Sequence, residues 1–278
     1  MTAVSELAWY VFAVLPATAE LRSGGPALLR GADVILIGDD MPTDQSFADI
    51  DSTGLVALAS LVPAGLFSAE SAASQAHDPD WIAARAADHH AVVSHAAATA
   101  ACLPLGFGTL FSSSDTLRAW LQSNAASLRR ALSTVAGRQE WGVCLTEDAE
   151  SHTAWLTRQD PVLAALARDT AAATPGTGYL LSRRLSRANE AARANHASKV
   201  ATRIGNRLGE IFCLARLETA SPSVSAKWSV LAQIGCHVVT KLSGLGEELE
   251  NMGLHLRVDG PWPPYAFARA AWQDAQNV

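Results

Sequence analysis

Trp228-Ser-Val-Leu-Ala-Gln-Ile234 and Leu254-His-Leu-Arg-Val258 bracket a segment whose periodicity is different from theirs. In the first run Trp228, Val230, Ala232 and Ile234 alternate, and in the second Leu254, Leu256 and Val258 do the same, the period of a half-buried strand. Between them Val238, Leu242, Leu245, Leu249 and Met252 recur at helical spacing, and Gly253 ends the helix. Upstream, Trp141, Val143 and Leu145 alternate as another strand, and after Pro161 the chain reads as helix. Thr177 to Leu217 holds no proline; Leu181, Leu185, Ala188 and Ala192 form one stripe there, and Val200, Ile204, Leu208, Ile211 and Ala215 a second. A single helix of that length is about 60 Å long, so the segment is either a protruding hairpin arm or a helix broken near Asn195. The order strand, long helix, strand, helix, strand predicts an α+β domain with a modified ferredoxin-like sheet, over 138–278.

The first half, 1–137, reads as a mixed α+β domain of its own. Trp9-Tyr-Val-Phe-Ala-Val-Leu15, Val34–Ile37 and Leu55–Val62 are strands, rich in β-branched and aromatic residues. Residues 7–19 could also pass for the apolar part of a signal peptide, but no Lys or Arg precedes them and Glu6 stands in their place, which favours a buried first strand. Asp39 to Ser52 is an acidic loop. Asp78-Pro79-Asp80 starts a helix, with Ile82, Ala86, His89, Val93 and Ala97 as its apolar stripe. Cys102–Leu105 is a short strand. A second helix begins at Ser114 or Asp115, carries Leu117, Leu121, Leu128, Leu132 and Val135, and stops at Gly137, where we place the domain boundary.

Of the 278 residues, 49% are hydrophobic and 17% charged, a core-forming composition. No apolar run reaches the roughly 20 residues a membrane span needs. Cys102, Cys144, Cys213 and Cys236 form no CxxC and sit in apolar surroundings, which points to reduced thiols in a cytoplasm rather than a disulfide or zinc framework. Residues 1–137 hold 6 Lys+Arg against 13 Asp+Glu and residues 138–278 hold 15 against 14. The acidic half repels phosphate, which argues against nucleic acid as a partner. Arg183, Arg184, Arg187, Arg193, Lys199, Arg203, Arg207 and Arg216 make the long helix basic. That face is solvated or meets a protein; no aromatics interleave it as a nucleic-acid platform requires.

Two segments stand apart from the periodic pattern. One is Asp88-His-His-Ala-Val-Val93 followed by Cys102-Leu-Pro-Leu-Gly-Phe-Gly-Thr109, with Glu140-Trp-Gly-Val143 downstream. The other is Gly260-Pro-Trp-Pro-Pro-Tyr-Ala-Phe267. Together, in this order along nearly the whole chain, they resemble the GvpF/GvpL proteins of gas vesicle clusters. The motif residues are His89, His90, Pro104, Phe107, Gly108, Thr109, Gly260, Pro261, Trp262, Pro263, Pro264, Tyr265 and Phe267. The family usually has an arginine where this chain has Gly106. The resemblance implies two domains and a non-enzymatic role in building the gas-filled compartments that give microbes buoyancy. It further implies binding to the small shell protein GvpA and to other vesicle accessory proteins, protection of GvpA from aggregation during nucleation, and retention as a minor structural component.

Read physically, Pro261, Pro263 and Pro264 make the second segment a rigid, polyproline-like strap with Trp262 and Tyr265 pinned. It is either a docking strap for a partner or a lock between the two domains. Pro104–Thr109 is a tight glycine turn; Phe111 occupies the position where a dinucleotide fingerprint needs glycine. His89 and His90 are neighbours on a helix and point about 100° apart, so they do not share a metal, and His89 falls on the core stripe. Asp49-x-Asp51-x-Thr53-Gly54 imitates the start of a calcium loop but has Ser60, not Glu, at its twelfth position. No catalytic, cofactor or metal site is expected. The alternative is a small-ligand-binding or enzymatic α+β protein, which demands a cleft of convergent polar groups with perturbed titration.

Overall fold

The computed structural model describes residues 7–19, 35–38, 54–67, 78–212, 214–218 and 225–276. Val34, the 39–52 loop with Asp49 and Asp51, Thr53 and Cys213 lie outside them. The chain divides into two compact units, residues 1–140 with 262–278, and residues 141–261. The second is thus inserted into the first.

The first unit is built on β1 (Leu7–Pro16), β2 (Ile35–Gly38), β3 (Leu55–Pro63) and two short strands, β4 (Leu103–Pro104) and β5 (Leu110–Phe111). The order is β2-β3-β1-β4, with β5 also on β1, and every pairing is antiparallel. Register runs from Leu7 opposite Pro63 to Pro16 opposite Leu55, shifting between Val11 and Ala13. The extra residue moves the pleat by one. Tyr10 before it, Phe12 as the extra residue itself, and Ala13 and Leu15 after it therefore all join one core, with Val92, Val93 and Ala96 of α1 (Pro79–Ala97). Val11, Leu55, Ala57 and Ala59 are equally buried, and α2 (Ser114–Val135) packs on β1 and β3. This is why β1 and β3 are continuous apolar runs instead of alternating ones.

Helix α1 is capped as its sequence predicts, the Asp78 carboxylate accepting from the amides of Asp80 and Trp81 at 3.1 Å. Its apolar stripe is buried only from His89 onward; Ile82 and Ala86, expected in the core, are exposed. In α2 the Ser113 hydroxyl and Thr116 form a capping box, and Leu117, Leu121, Leu128, Leu132 and Val135 are buried as expected. The short strand near Cys102 is confined to Leu103–Pro104. A last helix, α7 (Tyr265–Gln276), packs on α2 and β4.

The second unit contains most of β6 (Arg138–Glu147), then α3 (Ala149–Gln159), α4 (Pro161–Ala172), α5 (Pro175–Ile211), β7 (Leu214–Glu218), β8 (Ala226–Gln233), α6 (Val238–Glu250) and β9 (Leu254–Trp262). Strand order β7-β8-β6-β9 is that of a βαββαβ ferredoxin-like sheet, with α3 to α5 in place of the first helix. Its core joins Val143 and Leu145, Val200, Ile204 and Leu208 of α5, Trp228, Val230 and Ala232 of β8, Leu242 and Leu249 of α6, and Leu254. Ile234 is not part of the alternation: β8 ends at Gln233 and Ile234 is exposed.

Helix α5 runs unbroken through Asn195 for 37 residues, about 56 Å. Its buried residues are Ala197, Val200, Ile204 and Leu208. The preceding half packs on α4 as a helical hairpin. Helix α3 has no apolar stripe to reveal it; its signal is the cap, Asp148 accepting from the amides of Glu150 and Ser151. No helix among the described residues is long and apolar enough to cross a membrane.

Candidate functional site

The motif residues of the first unit converge around two adjacent histidines with different partners. On the inner side, the Tyr10 hydroxyl lies 2.8 Å from His89 Nδ1 and accepts from the Gly108 amide at 3.3 Å, while His89 also bonds the Leu105 backbone. The consistent assignment has Tyr10 donating to Nδ1 and the other ring nitrogen donating to the Leu105 carbonyl. The result is a closed relay from β1 through α1 to the Leu105–Gly108 loop. Burial, partly offset by the bond to Leu105, pushes His89 down to about 4, and burial pushes Tyr10 up to about 12.

The loop itself crosses the bulged part of β1. Leu105 N bonds Phe12 O at 2.9 Å, Val11 N bonds Thr109 O at 3.0 Å, and the Thr109 hydroxyl donates to Gly106 O at 2.6 Å. Gly108 sits at φ +84, where a side chain is strained. Pro104 pairs with Ala13 in β4. Phe107 is the outward member: it meets the His89 and Tyr10 rings edge-on yet remains 42% exposed.

On the outer side, His90 Nδ1 lies 3.0 Å from the Tyr265 hydroxyl and Nε2 3.3 Å from Ser94 Oγ. Its ring stacks on Tyr265 and tilts against Trp262. Burial, with Cys102, Tyr10 and Glu140 nearby, pushes the Tyr265 phenol well above its ordinary range.

The strap takes a different form from the one expected. Gly260, Pro261 and Trp262 end strand β9, at the sheet edge, where a proline is tolerated, and Gly260-Pro261 is cis. Only Pro263 and Pro264, both buried, separate it from α7, whose first turn opens at Tyr265. Phe267 is fully buried, whereas Trp262, expected to be pinned, is 44% exposed. Trp262→Ala is therefore expected to cost about 1 kcal/mol or less, not the several of a buried ring, as a thermal melt would show.

Glu140 is a structural residue whose role was not visible in the sequence. It is buried, and its Oε2 accepts from the amides of Ala266 at 2.9 Å and Phe267 at 3.4 Å. A carboxylate 126 residues away thus caps the positive end of α7.

A second polar cluster, in the other unit, also escaped sequence reading. His152, wholly buried, lies 2.6 Å from Glu147 Oε1 through Nδ1 and 2.8 Å from His196 Nδ1 through Nε2. Arg193 pairs with the same Glu147 at 3.4 Å, and His196 packs on Trp155. Burial, then His152, lowers the His196 pKa. These residues come from β6, α3 and α5, and no local motif announces them.

In both clusters the hydrogen bonds join side chains from different elements, β1, α1 and the Leu105–Gly108 loop in one and β6, α3 and α5 in the other. The arrangement holds elements together across each unit.

The sequence profile of the family described as "Gas vesicle synthesis protein GvpL/GvpF" matches residues 8–269. The chain belongs to the GvpL/GvpF family. Gas vesicle protein L2 of Halobacterium salinarum is 31% identical over 189 residues, covering 63% of this chain and 67% of the relative. Gas vesicle protein L of Streptomyces sp. (strain CB03234) is 29% identical over 234 residues, covering 81% and 84%. The crystal structure of GvpF from Anabaena sp. PCC7120 superposes with a TM-score of 0.63 at 15% identity over 94% of this chain and 96% of that one. GvpF from Microcystis aeruginosa gives 0.59 at 12%, over 94% and 98%. The mixed α+β architecture is thus the GvpF fold.

Two site predictions follow for this GvpL/GvpF member. Unfolded His89 takes up a proton near pH 6.5 and folded His89 only near 4. Its contribution is complete above pH 6.5 and is lost as pH falls toward 4, by up to about 3 kcal/mol. Urea midpoints across that window should fall less steeply for His89→Gln than for the wild type. At Gly106 an added Cβ meets only Thr109 Oγ1 at 3.8 Å. Gly106→Arg should therefore change stability by no more than about 0.5 kcal/mol, measured the same way.

Proposed function

We propose that this chain is a gas vesicle assembly factor and minor structural component that binds the shell protein GvpA and keeps it from aggregating while a vesicle nucleates. Other accessory proteins of the vesicle are its further partners. It works in the cytoplasm and on the vesicle, without nucleic acid, membrane or a catalysed reaction. The observation that carries this reading is the family match across residues 8–269. We assign the GvpA contact to the first unit, where Phe107 and Trp262 stay half-exposed beside rings held by His89 and His90. Half-exposed aromatics on a rigid base suit an apolar partner, giving contact area at little entropic cost.

The test uses the full-length protein. Purified chain is expected to associate with GvpA and suppress its light scattering, and a deletion strain should form no vesicles. Phe107→Ser/Trp262→Ser should weaken the association while the melting temperature changes little. A chain that never associates with GvpA, in a strain that still floats after deletion, would overturn the proposal. Binding unaffected by the double substitution would move the contact away from this face.

A further inference from the structure

Two helix faces carry opposite chemistry and have no partner within the described chain. The first is the tip of the α4–α5 hairpin. Tyr179, Leu180, Arg183, Arg184 and Arg187 fall within an arc of about 140° on α5 at 3.6 residues per turn. Tyr179 is 62% and Leu180 68% exposed, and the three arginines are exposed as well. Farther along the same helix three of the four basic residues are engaged: Arg193 with Glu147, Arg203 with Glu248, Arg207 with Glu210. Among the described residues Arg183, Arg184 and Arg187 form no ion pair, so three bidentate donors and two large apolar groups face solvent together.

The second face is the outer side of the first half of α1. Pro79, Ile82, Ala83, Ala86 and Ala87 are exposed there, an apolar strip with Ile82 along one edge. Asp78 and Asp80 flank it, both exposed and in no ion pair among the described residues. Asp78 caps the helix through its carboxylate. The wider field has the same sign: the first unit holds 8 Lys+Arg against 15 Asp+Glu, the second 13 against 12.

We propose that the α5 tip of one copy docks on the outer face of α1 of another, so that copies of this chain associate head to tail. The arginines meet the acidic start of α1, and Tyr179 and Leu180 cover Ile82 and the alanines, whose small side chains allow close helix approach. The two surfaces differ, so the contact is heterologous, and an assembly that does not close into a ring keeps one free face at each end. An interface of about two helical turns is small, so the association is weak and falls with salt.

Sedimentation of the full-length protein over a concentration series at low salt tests this. The mean mass is expected to rise from 29.2 kDa, pass the dimer, and return to monomer in high salt. Arg183→Gln/Arg184→Gln/Arg187→Gln, which removes only the tip charges, should remain monomeric. So should Asp80→Asn/Ile82→Gln, with Ala86→Gln as a second α1 variant should that one fail to fold. Mixing the tip variant with an α1 variant is the decisive measurement: each supplies one intact face, so the mixture should form dimers and stop there. A wild-type protein that stays monomeric at every concentration in low salt overturns the proposal. So does a tip variant that associates like wild type, a mixture that stays monomeric, or a tip that captures an acidic protein while the chain itself remains monomeric.

Discussion

Gly253→Ala is expected to destabilise the second unit by about 3 kcal/mol or more, the sum of a backbone penalty and a collision. Gly253 sits at φ +73, a left-handed conformation that costs an L-residue about 1–2 kcal/mol. A Cβ there would lie 2.7 Å from the Ser151 carbonyl carbon and 2.9 Å from His152 Cα, and closer still to the His152 amide. All three are backbone atoms of the first turn of α3, so no side chain can rotate out of the way. That turn is fixed from both directions. Asp148 N bonds Gly253 O at 3.0 Å, and His152 is tied to Glu147 and His196. Moving it by the required distance would stretch the buried histidine network. Gly235→Ala is the control, because φ there is +84 but nothing lies within 4 Å of the added carbon. Urea denaturation should show only the conformational cost at Gly235 and the additional steric cost at Gly253. Equal losses at the two positions would mean that the close approach carries no energy.

Phe267→Ala should cost about 3–5 kcal/mol, the usual range for truncating a fully buried phenylalanine. Phe267 is among the largest fully buried side chains, and its helix packs on α2 and β4. Its amide is also one of the two donors held by Glu140. Loosening the ring therefore exposes a buried carboxylate that has lost its partners, a further penalty of a few kcal/mol at most. Phe267→Leu, which refills most of the volume, is expected to lose less than about 2 kcal/mol. Denaturant melts of the three proteins, compared with Trp262→Ala, separate the two ends of the proline segment: the phenylalanine secures the fold and the tryptophan does not.

Much of the framework was legible because local chemistry and tertiary structure agree there. Asp78-Pro79 and Gly137 mark helix ends in the sequence and form them in the structure, and the second helix starts at Ser114, one of the two starts read for it. Alternation at Trp228–Ala232 and helical spacing at Val238–Leu249 gave the ferredoxin-like half. The failures arise where burial is decided at a distance. Ile82 and Ala86 are apolar and in register, but α1 meets the sheet only farther along, and spacing cannot say where a helix ends its contact. Tyr265 follows two prolines, which masks a helix start whose cap is supplied by Glu140. Asn195 looks like a break, yet a polar residue on an exposed helix face costs only a few tenths of a kcal/mol. At the candidate site the residues were singled out one motif at a time, and their pairing was not readable. His89 with Tyr10, and His90 with Tyr265, join elements separated by 79 and 175 positions, and no local pattern encodes such partners.

The insertion of one unit within the other has a consequence for how the protein is made. Glu140 leaves the ribosome early, but Ala266 and Phe267, which it must hold, emerge only after the whole of 141–261. At ordinary elongation speed that interval is on the order of ten seconds. Throughout it the surface of α2 and β4 that α7 will cover has no α7, and the inserted unit gains its last strand, β9, just before α7 follows. Translation therefore delivers the two halves in the reverse of their order of appearance: the inner one can mature first, and the outer one closes last, when the final residues arrive.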